Sequence, residues 1–190
     1  MLRLRRRFLG SDEYLKAEML ALVPRLRRFA CGLAGSMDEA DELVQAACER
    51  AIRSLDTFER GSRLDSWMFR IIRNLHYSAW RDRRSRGRAL EAKAWSEDGL
   101  FDGARAMDAY LDLGDLGRGV LDLDPDQRVV LLMVVVEGLS YQQVAEALDI
   151  PIGTVTSRLS RARLRLRAML EGDQAIGSAR RVVAGGKILE

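Results

Sequence analysis

The chain has 190 residues, a formal net charge of +3 and 47% apolar residues, enough for one ordinary domain or two small ones with packed cores. No apolar run approaches the roughly 18 residues of a membrane span, and the basic start Met1–Gly10 lacks the apolar core of a secretion signal. The three prolines are too few for a turn-rich all-β chain, so a helical, cytoplasmic protein without membrane insertion is expected.

Lysine occurs only at Lys16, Lys93 and Lys187, so nearly every positive charge is an arginine, whose planar fork suits phosphates and guanine edges. A GC-rich genome would give the same bulk excess; the clustering of arginines at two helix ends is what carries information. Cys31 and Cys48 are too few and too isolated for a zinc site. Both lie on apolar faces as small hydrophobes, and a redox role would require them to face each other across packed helices. His76 is the only histidine, and no catalytic triad, P-loop or metal-ligand cluster can be assembled. No cofactor, metal or small-molecule substrate is expected.

Ser11 to Ala34 is a helical pattern interrupted by Pro24, which predicts a short leading helix and a second one from about Pro24. Leu22, Leu26, Phe29, Ala30 and Leu33 form the buried stripe. Ser36-Met-Asp-Glu39 is a capping box opening the next helix, followed by acids suited to its N-terminal dipole. Leu43, Val44, Ala47, Cys48, Ala51, Ile52 and Leu55 make its core face. Asp41, Glu42, Gln45 and Glu49 form a polar, acidic surface, for which plain solvation is a sufficient account.

Thr57 to Ser62 reads as a loop, and Ser62 with Asp65 repeats the capping-box signature. The helix that follows reaches about Arg84. Leu64, Trp67, Met68, Ile71, Leu75 and Ala79 form its apolar side; Arg70, Arg73, Asn74, Tyr77, Arg81 and Arg84 lie opposite. Basic residues interleaved with an aromatic suit a surface that grips phosphates and stacks on bases. Trp67 and Trp80 read first as structural.

From Arg86 the character changes to glycines and acids, including Glu97, Asp98, Asp102, Asp108, Asp112 and Asp115. The segment 87–119 reads as a flexible linker, transiently helical over Gly103 to Leu113, whose acids keep it off DNA. A second module, 120–171, starts with Val120-Leu-Asp-Leu. Asp124-Pro-Asp-Gln127 then supplies a cap, a first-turn proline and a capping glutamine for a helix over Arg128 to Glu137, ending at Gly138. Its run of valines also fits a strand, and the caps favour the helix.

Ser140 N-caps the next helix with Gln143 as its capping-box partner, and Leu139 and Val144 form a hydrophobic staple. Asp149-Ile-Pro-Ile-Gly153 supplies a turn through Pro151 and Gly153. Beyond it, Val155, Leu159, Ala162, Leu166 and Met169 form one apolar stripe. Thr154, Arg158, Arg161 and Arg165 share another face, with Ser157 beside them. This is the layout of a helix-turn-helix whose second helix enters a major groove. A solvated basic helix in an ordinary bundle would explain the charge but not the caps and the tight turn. The tail 172–190 has little pattern and reads as mobile.

The chain is thus all-α: 11–86, a linker 87–119, 120–171 and a tail 172–190. Asp41-Glu-Leu-Val-Gln45 and Phe58-Glu-Arg-Gly-Ser-Arg-Leu-Asp-Ser-Trp-Met-Phe-Arg-Ile-Ile-Arg-Asn74 resemble region 2 of bacterial sigma factors. Gln127-Arg128, Glu137-Gly-Leu-Ser-Tyr141 and Pro151-Ile-Gly-Thr-Val-Thr-Ser-Arg-Leu-Ser-Arg-Ala-Arg163 resemble region 4. With only a linker between them, the resemblance is to the extracytoplasmic-function (group IV) sigma factors, over Leu20–Arg86 and Leu121–Leu170.

The resemblance implies a division of labour. Asp41, Glu42, Leu43, Val44 and Gln45 would dock on the clamp helices of core RNA polymerase. Phe58, Arg63, Trp67, Arg70, Arg73, Asn74, Tyr77 and Arg81 would contact the −10 element of promoter DNA, where one non-template base is captured outside the duplex. Thr154, Ser157, Arg158, Arg161 and Arg165 would read the −35 element. The protein would do no chemistry itself, and an anti-sigma factor would hold it inactive. Two positions depart from the family pattern: Gln142-Gln143 replaces a frequent acidic pair, and Asp41-Glu42 stands where Glu-Asp is commoner.

A polymerase-independent helix-turn-helix regulator would account for the second module but leave Asp41 to Arg84 without a purpose. It also calls for a dimerisation element, and no sustained heptad seam is found. A carboxylate nuclease fails because no acidic cluster sits beside a histidine or lysine at ligand spacing.

Overall fold

The computed structural model describes residues 11–85 and 114–184, all helices and short connections. The first helix, α1, spans Ser11–Ala34 without a break and carries Pro24 inside it. This corrects the expected pair of helices. Proline removes the hydrogen bond to the carbonyl four residues earlier, a cost of about 3 kcal/mol. That carbonyl belongs to Leu20, a residue 72% exposed, where water can take the missing bond. Met19, Leu26, Phe29, Ala30 and Leu33 are meanwhile buried along one stripe and hold the axis together.

Helix α2, Met37–Arg53, starts at Ser36, whose side chain accepts from the Glu39 amide as expected. Its core residues are Ala40, Val44, Ala47 and Ala51, with Leu43 and Cys48 half-buried. Ile52 was placed on this face by its spacing, yet it is 48% exposed at the edge of the stripe. A 3-10 turn over Leu55–Thr57 leads to the loop before α3, Leu64–Ser85. Ser62 does not cap α3: its hydroxyl donates to the Glu59 carbonyl. Arg63 occupies the cap position, its carbonyl accepting from the Trp67 amide. Buried α3 residues include Phe69, Ile72 and His76 as well as Met68, and Phe69 meets Phe29 at a centroid distance of 4.8 Å. These helices pack on one another as the first module.

The second module begins with α4, Gly114–Leu121, so the end of the stretch expected to be linker is helical. Gly119 lets it lie close to the last helix, since a Cβ there would be 3.1 Å from Leu166 Cδ2. The expectation for Gly103 to Leu113 falls outside the described residues. Helix α5, Pro125–Leu131, is N-capped by Asp124, which accepts from the Asp126 amide rather than from the expected glutamine pairing.

A π turn follows over Leu132–Val136, closed by the Glu137 amide on the Leu132 carbonyl at 3.0 Å. The expected uniform helix is therefore α-helical first and π-helical at its end. The wider turn inserts one residue per turn, burying Leu132 and Met133 while Val135 is 57% exposed. Gly138 ends it at φ +68.

Helix α6, Tyr141–Leu148, has both halves of the Ser140–Gln143 capping box, and Leu139 and Val144 are buried as a staple requires. The turn into α7, Ile152–Ala184, depends on Asp149 at φ 53, not on Gly153, which already lies in the helix. Asp tolerates this left-handed conformation because its short side chain can bond locally. Helix α7 runs beyond Glu171 to Ala184, correcting the patternless tail as far as that residue. Val155, Leu159 and Ala162 are buried on its apolar stripe.

The two modules dock on each other. Helix α1 packs against α4, α5 and the π turn, and α3 against α6. Gly35, at φ +82, makes one close approach: a Cβ there would lie 2.8 Å from Leu121 Cδ1. Nearby, Arg128 donates to the Leu33 carbonyl at 2.8 Å and to the Leu121 carbonyl. Among the described residues, no helix is long and apolar enough to cross a membrane.

Candidate nucleic-acid interface

The expected polymerase-facing segment sits on the outer side of α2. Asp41, Glu42 and Gln45 are exposed and Leu43 is half-buried, whereas Val44 is 6% exposed and belongs to the core. Helical geometry decides this, because residues 40, 44, 47 and 51 share the stripe that faces α1 and α3. Asp41 takes both oxygens to Arg27, at 2.6 and 2.8 Å, which fixes the carboxylate against α1.

The loop after the 3-10 turn, the start of α3 and α6 of the second module border an open cleft of about 530 Å³, with Gly61, Arg63, Ser66, Trp67 and Arg70 on one side and Gln143, Glu146 and Ala147 on the other. Its floor is rigid. Phe58 is 7% exposed and lies against Trp67 with ring centroids 5.1 Å apart. Phe58 therefore lies behind Trp67 rather than on the surface, and Trp67, itself largely buried, lines the cleft.

Arg63 is bound to Asp65 by two bonds, Nε at 3.1 Å and Nη2 at 2.6 Å. Asp65 is itself buried and also receives Arg25 at 3.1 Å and the Ser66 amide. Burial pushes the Asp65 carboxyl upward, but the hydrogen bond and charge of Arg63, helped by Ser66 and Arg25, bring it below the ordinary carboxylate range. Donating to Asp65 raises Arg63 in turn. The sequence suggests Asp65 as half of a cap, whereas the structure makes it the anchor that holds Arg63 beside the cleft.

Further along α3, Arg70, Asn74 and Arg81 are exposed, while Arg73 and Tyr77 are half-buried against the second module. Asn74 Oδ1 accepts from Arg73 Nε and Nη2 at 3.0 and 2.8 Å, and Arg73 also reaches the Leu148 carbonyl at 3.4 Å. Burial lowers Arg73 from its usual value. Tyr77 donates its hydroxyl to Asp126 at the start of α5. Burial, then the bond to Asp126, raises the phenol.

On α7, Ser157, Arg161 and Arg165 are exposed on one side, and Thr154 and Arg158 are half-buried. Arg158 is paired with Asp126, the carboxylate that also holds Tyr77. Glu137, whose side chain has no exposure, receives Arg25 at 3.0 Å and Arg28 at 3.3 Å from α1. Neither acid stood out in the sequence. Asp126 looked like part of a cap and Glu137 like a helix end, because their partners lie far away along the chain.

A bundle with an acidic outer helix and a basic helix beside an open cleft, joined to a helix-turn-helix, defines a two-module nucleic-acid-binding protein. The family comparison makes this specific. Residues 19–86 match the Sigma-70 region 2 family and residues 114–166 match Sigma-70, region 4.

The chain is 38% identical over 161 residues to the ECF RNA polymerase sigma factor EcfG of Rhodopseudomonas palustris, covering 85% of this chain and 87% of that one. It is 33% identical over 168 residues to ECF RNA polymerase sigma factor SigC of Mycobacterium tuberculosis, covering 88% and 89%. A solved structure of the sigma factor RpoE in complex with the anti-sigma factor NepR from Bartonella quintana aligns with a TM-score of 0.66 at 36% identity. That alignment covers 82% of this chain and 96% of that one. The chain belongs to the extracytoplasmic-function RNA polymerase sigma factors. Its function is that of the family: with core RNA polymerase it directs transcription initiation at promoters.

Proposed function

We propose that the two modules divide promoter recognition between them. The exposed face of α2, with Asp41, Glu42 and Gln45, and Leu43 at its edge, meets core polymerase. The cleft at Arg63, Trp67 and Arg70 takes an unpaired −10 base, with Arg73, Asn74, Tyr77 and Arg81 along the strand. Thr154, Ser157, Arg158, Arg161 and Arg165 read the −35 duplex. The observation that carries this is the row of arginines along α3, Arg70, Arg73 and Arg81, beside an open cleft lined by Arg63 and Trp67, with Phe58 packed at a tilt against Trp67. Extruding a base costs a few kcal/mol of unstacking, which a preformed site and phosphate contacts offset. The protein performs no chemistry of its own and works in the cytoplasm, where its polymerase is.

An anti-sigma factor is the expected regulator, because the related RpoE is seen in complex with NepR. A polymerase-independent regulator is not favoured, since it leaves the first module unexplained.

The test is run-off transcription with core polymerase and promoters mapped after overexpression. Tight promoter binding without polymerase and no initiation with it would sink the proposal. Within that assay, Asn74→Ala should impair strand opening more than recruitment. Permanganate reactivity of −10 thymines is expected to fall while holoenzyme still shifts the promoter fragment; unchanged reactivity removes Asn74 from the melting surface.

A further inference from the structure

Helix α1 carries an exposed apolar face that the core does not use. Ala17, Leu20, Ala21 and Pro24 recur at helical spacings and all face outward, with Leu20 72% exposed. Single apolar residues are ordinary on a protein surface. Here four adjoin, and the one charge between Ala17 and Pro24, on Glu18, is engaged by the Tyr14 hydroxyl at 2.6 Å. The neighbours of Leu20 are short, so its side chain stands above them as a knob. Pro24 adds a polar feature at the same point. It has no N–H, so the Leu20 carbonyl lacks its helical donor and is open to one from a partner in place of water.

The same face leads to Arg27, seven positions after Leu20. Arg27 holds both carboxylate oxygens of Asp41, at 2.6 and 2.8 Å. Asp41, Glu42 and Gln45 form the exposed α2 surface assigned to polymerase, so the two faces run together across this ion pair. We propose that the Ala17–Pro24 face of α1 extends the docking surface for core polymerase, with Leu20 entering an apolar recess there. This inference rests on the reading of α2 as the polymerase-facing helix.

Charge and size favour this occupant. Ala17, Leu20, Ala21 and Pro24 offer no cation to DNA phosphates. Their stripe is about 10 Å long and covers on the order of 100 Å², against the roughly 800 Å² per partner of a stable complex. It is too small to join two copies of the chain by itself. Beside the α2 surface it supplies an apolar centre, with Arg27, Asp41 and Glu42 as the charged rim.

The test measures binding of fluorescently labelled full-length protein to core polymerase at low and high salt. Leu20→Asn, which changes no charge, should weaken binding about tenfold at both. Leu20→Met, which keeps an apolar side chain of similar volume, should stay within about twofold. Glu42→Lys should weaken binding more at low salt than at high salt, because salt screens exposed charges. Circular dichroism should show Leu20→Asn folded, since the side chain it replaces lies outside the core.

Normal binding by folded Leu20→Asn beside weakened binding by Glu42→Lys overturns the extension and leaves the α2 reading intact. Weakened binding by Leu20→Asn alone would keep α1 as a polymerase contact and overturn the α2 reading. An equal loss in Leu20→Met would overturn the apolar recess. Lost self-association in Leu20→Asn with unchanged polymerase binding would make the stripe a contact between copies and overturn the proposal.

Discussion

Arg158 shows how much of a side chain's role is set by one partner. Its place on α7 one turn from Thr154 suits a base edge in the major groove, yet it is half-buried and turned to Asp126 within the same module. If it contacts a base, Arg158→Ala weakens −35 use by about 1–3 kcal/mol, and unequally among promoters. Comparing transcription from −35 variants checks this, and an equal loss on all of them would mark a phosphate contact instead.

Asp65 gives a pH signature. Its folded-state carboxyl lies below the ordinary range, so its contribution to stability is present above the unfolded pKa. That contribution is lost as pH falls through the folded value. Asp65→Asn should lower stability at neutral pH by about 1–3 kcal/mol and flatten the acid limb of Tm against pH below about 4. A wild-type acid limb in the variant would contradict the assignment.

Among the elements, the local ones were legible and the long-range ones were not. Ser36, Asp124 and Ser140 act as N-caps where the sequence placed them, because a cap is settled within four residues. Ser140→Ala should cost the second module about 1 kcal/mol, visible as a lower denaturation midpoint with unchanged slope.

Pro24 misled because the break it favours is opposed by burial of Met19 and Leu26 against other helices. The π turn was invisible because the same valines fit an α-helix, a strand or a wider turn. In the candidate site, the exposed residues Arg70, Asn74, Arg81, Arg161 and Arg165 followed from helical spacing. The burial of Val44 and Phe58, and the roles of Asp65, Asp126 and Glu137, required knowing which helices meet.

At the scale of the molecule, the docking of the modules is a structural state in its own right. Gly35 sits where α1 ends and α4 arrives, in a backbone conformation that strains any side chain and with Leu121 at contact distance. Gly35→Ala is therefore expected to lower Tm and to loosen the docked state together, at a cost of about 1–2 kcal/mol for the backbone alone. Limited proteolysis between the modules should accelerate in step with the loss in Tm; a drop in Tm with unchanged cleavage would place the damage inside the first module.

Glu137 and Asp126 also bear on where the protein spends its time in a cell. Genomic DNA offers on the order of a million or more non-specific sites, and arginine-rich surfaces bind them with little regard to sequence. A chain that kept Arg73, Tyr77 and Arg158 open would be soaked up by the chromosome before meeting polymerase. In the docked structure Tyr77 and Arg158 are held by Asp126, and Arg73 by Asn74 and the Leu148 carbonyl, so these donors are engaged within the chain rather than offered to phosphates.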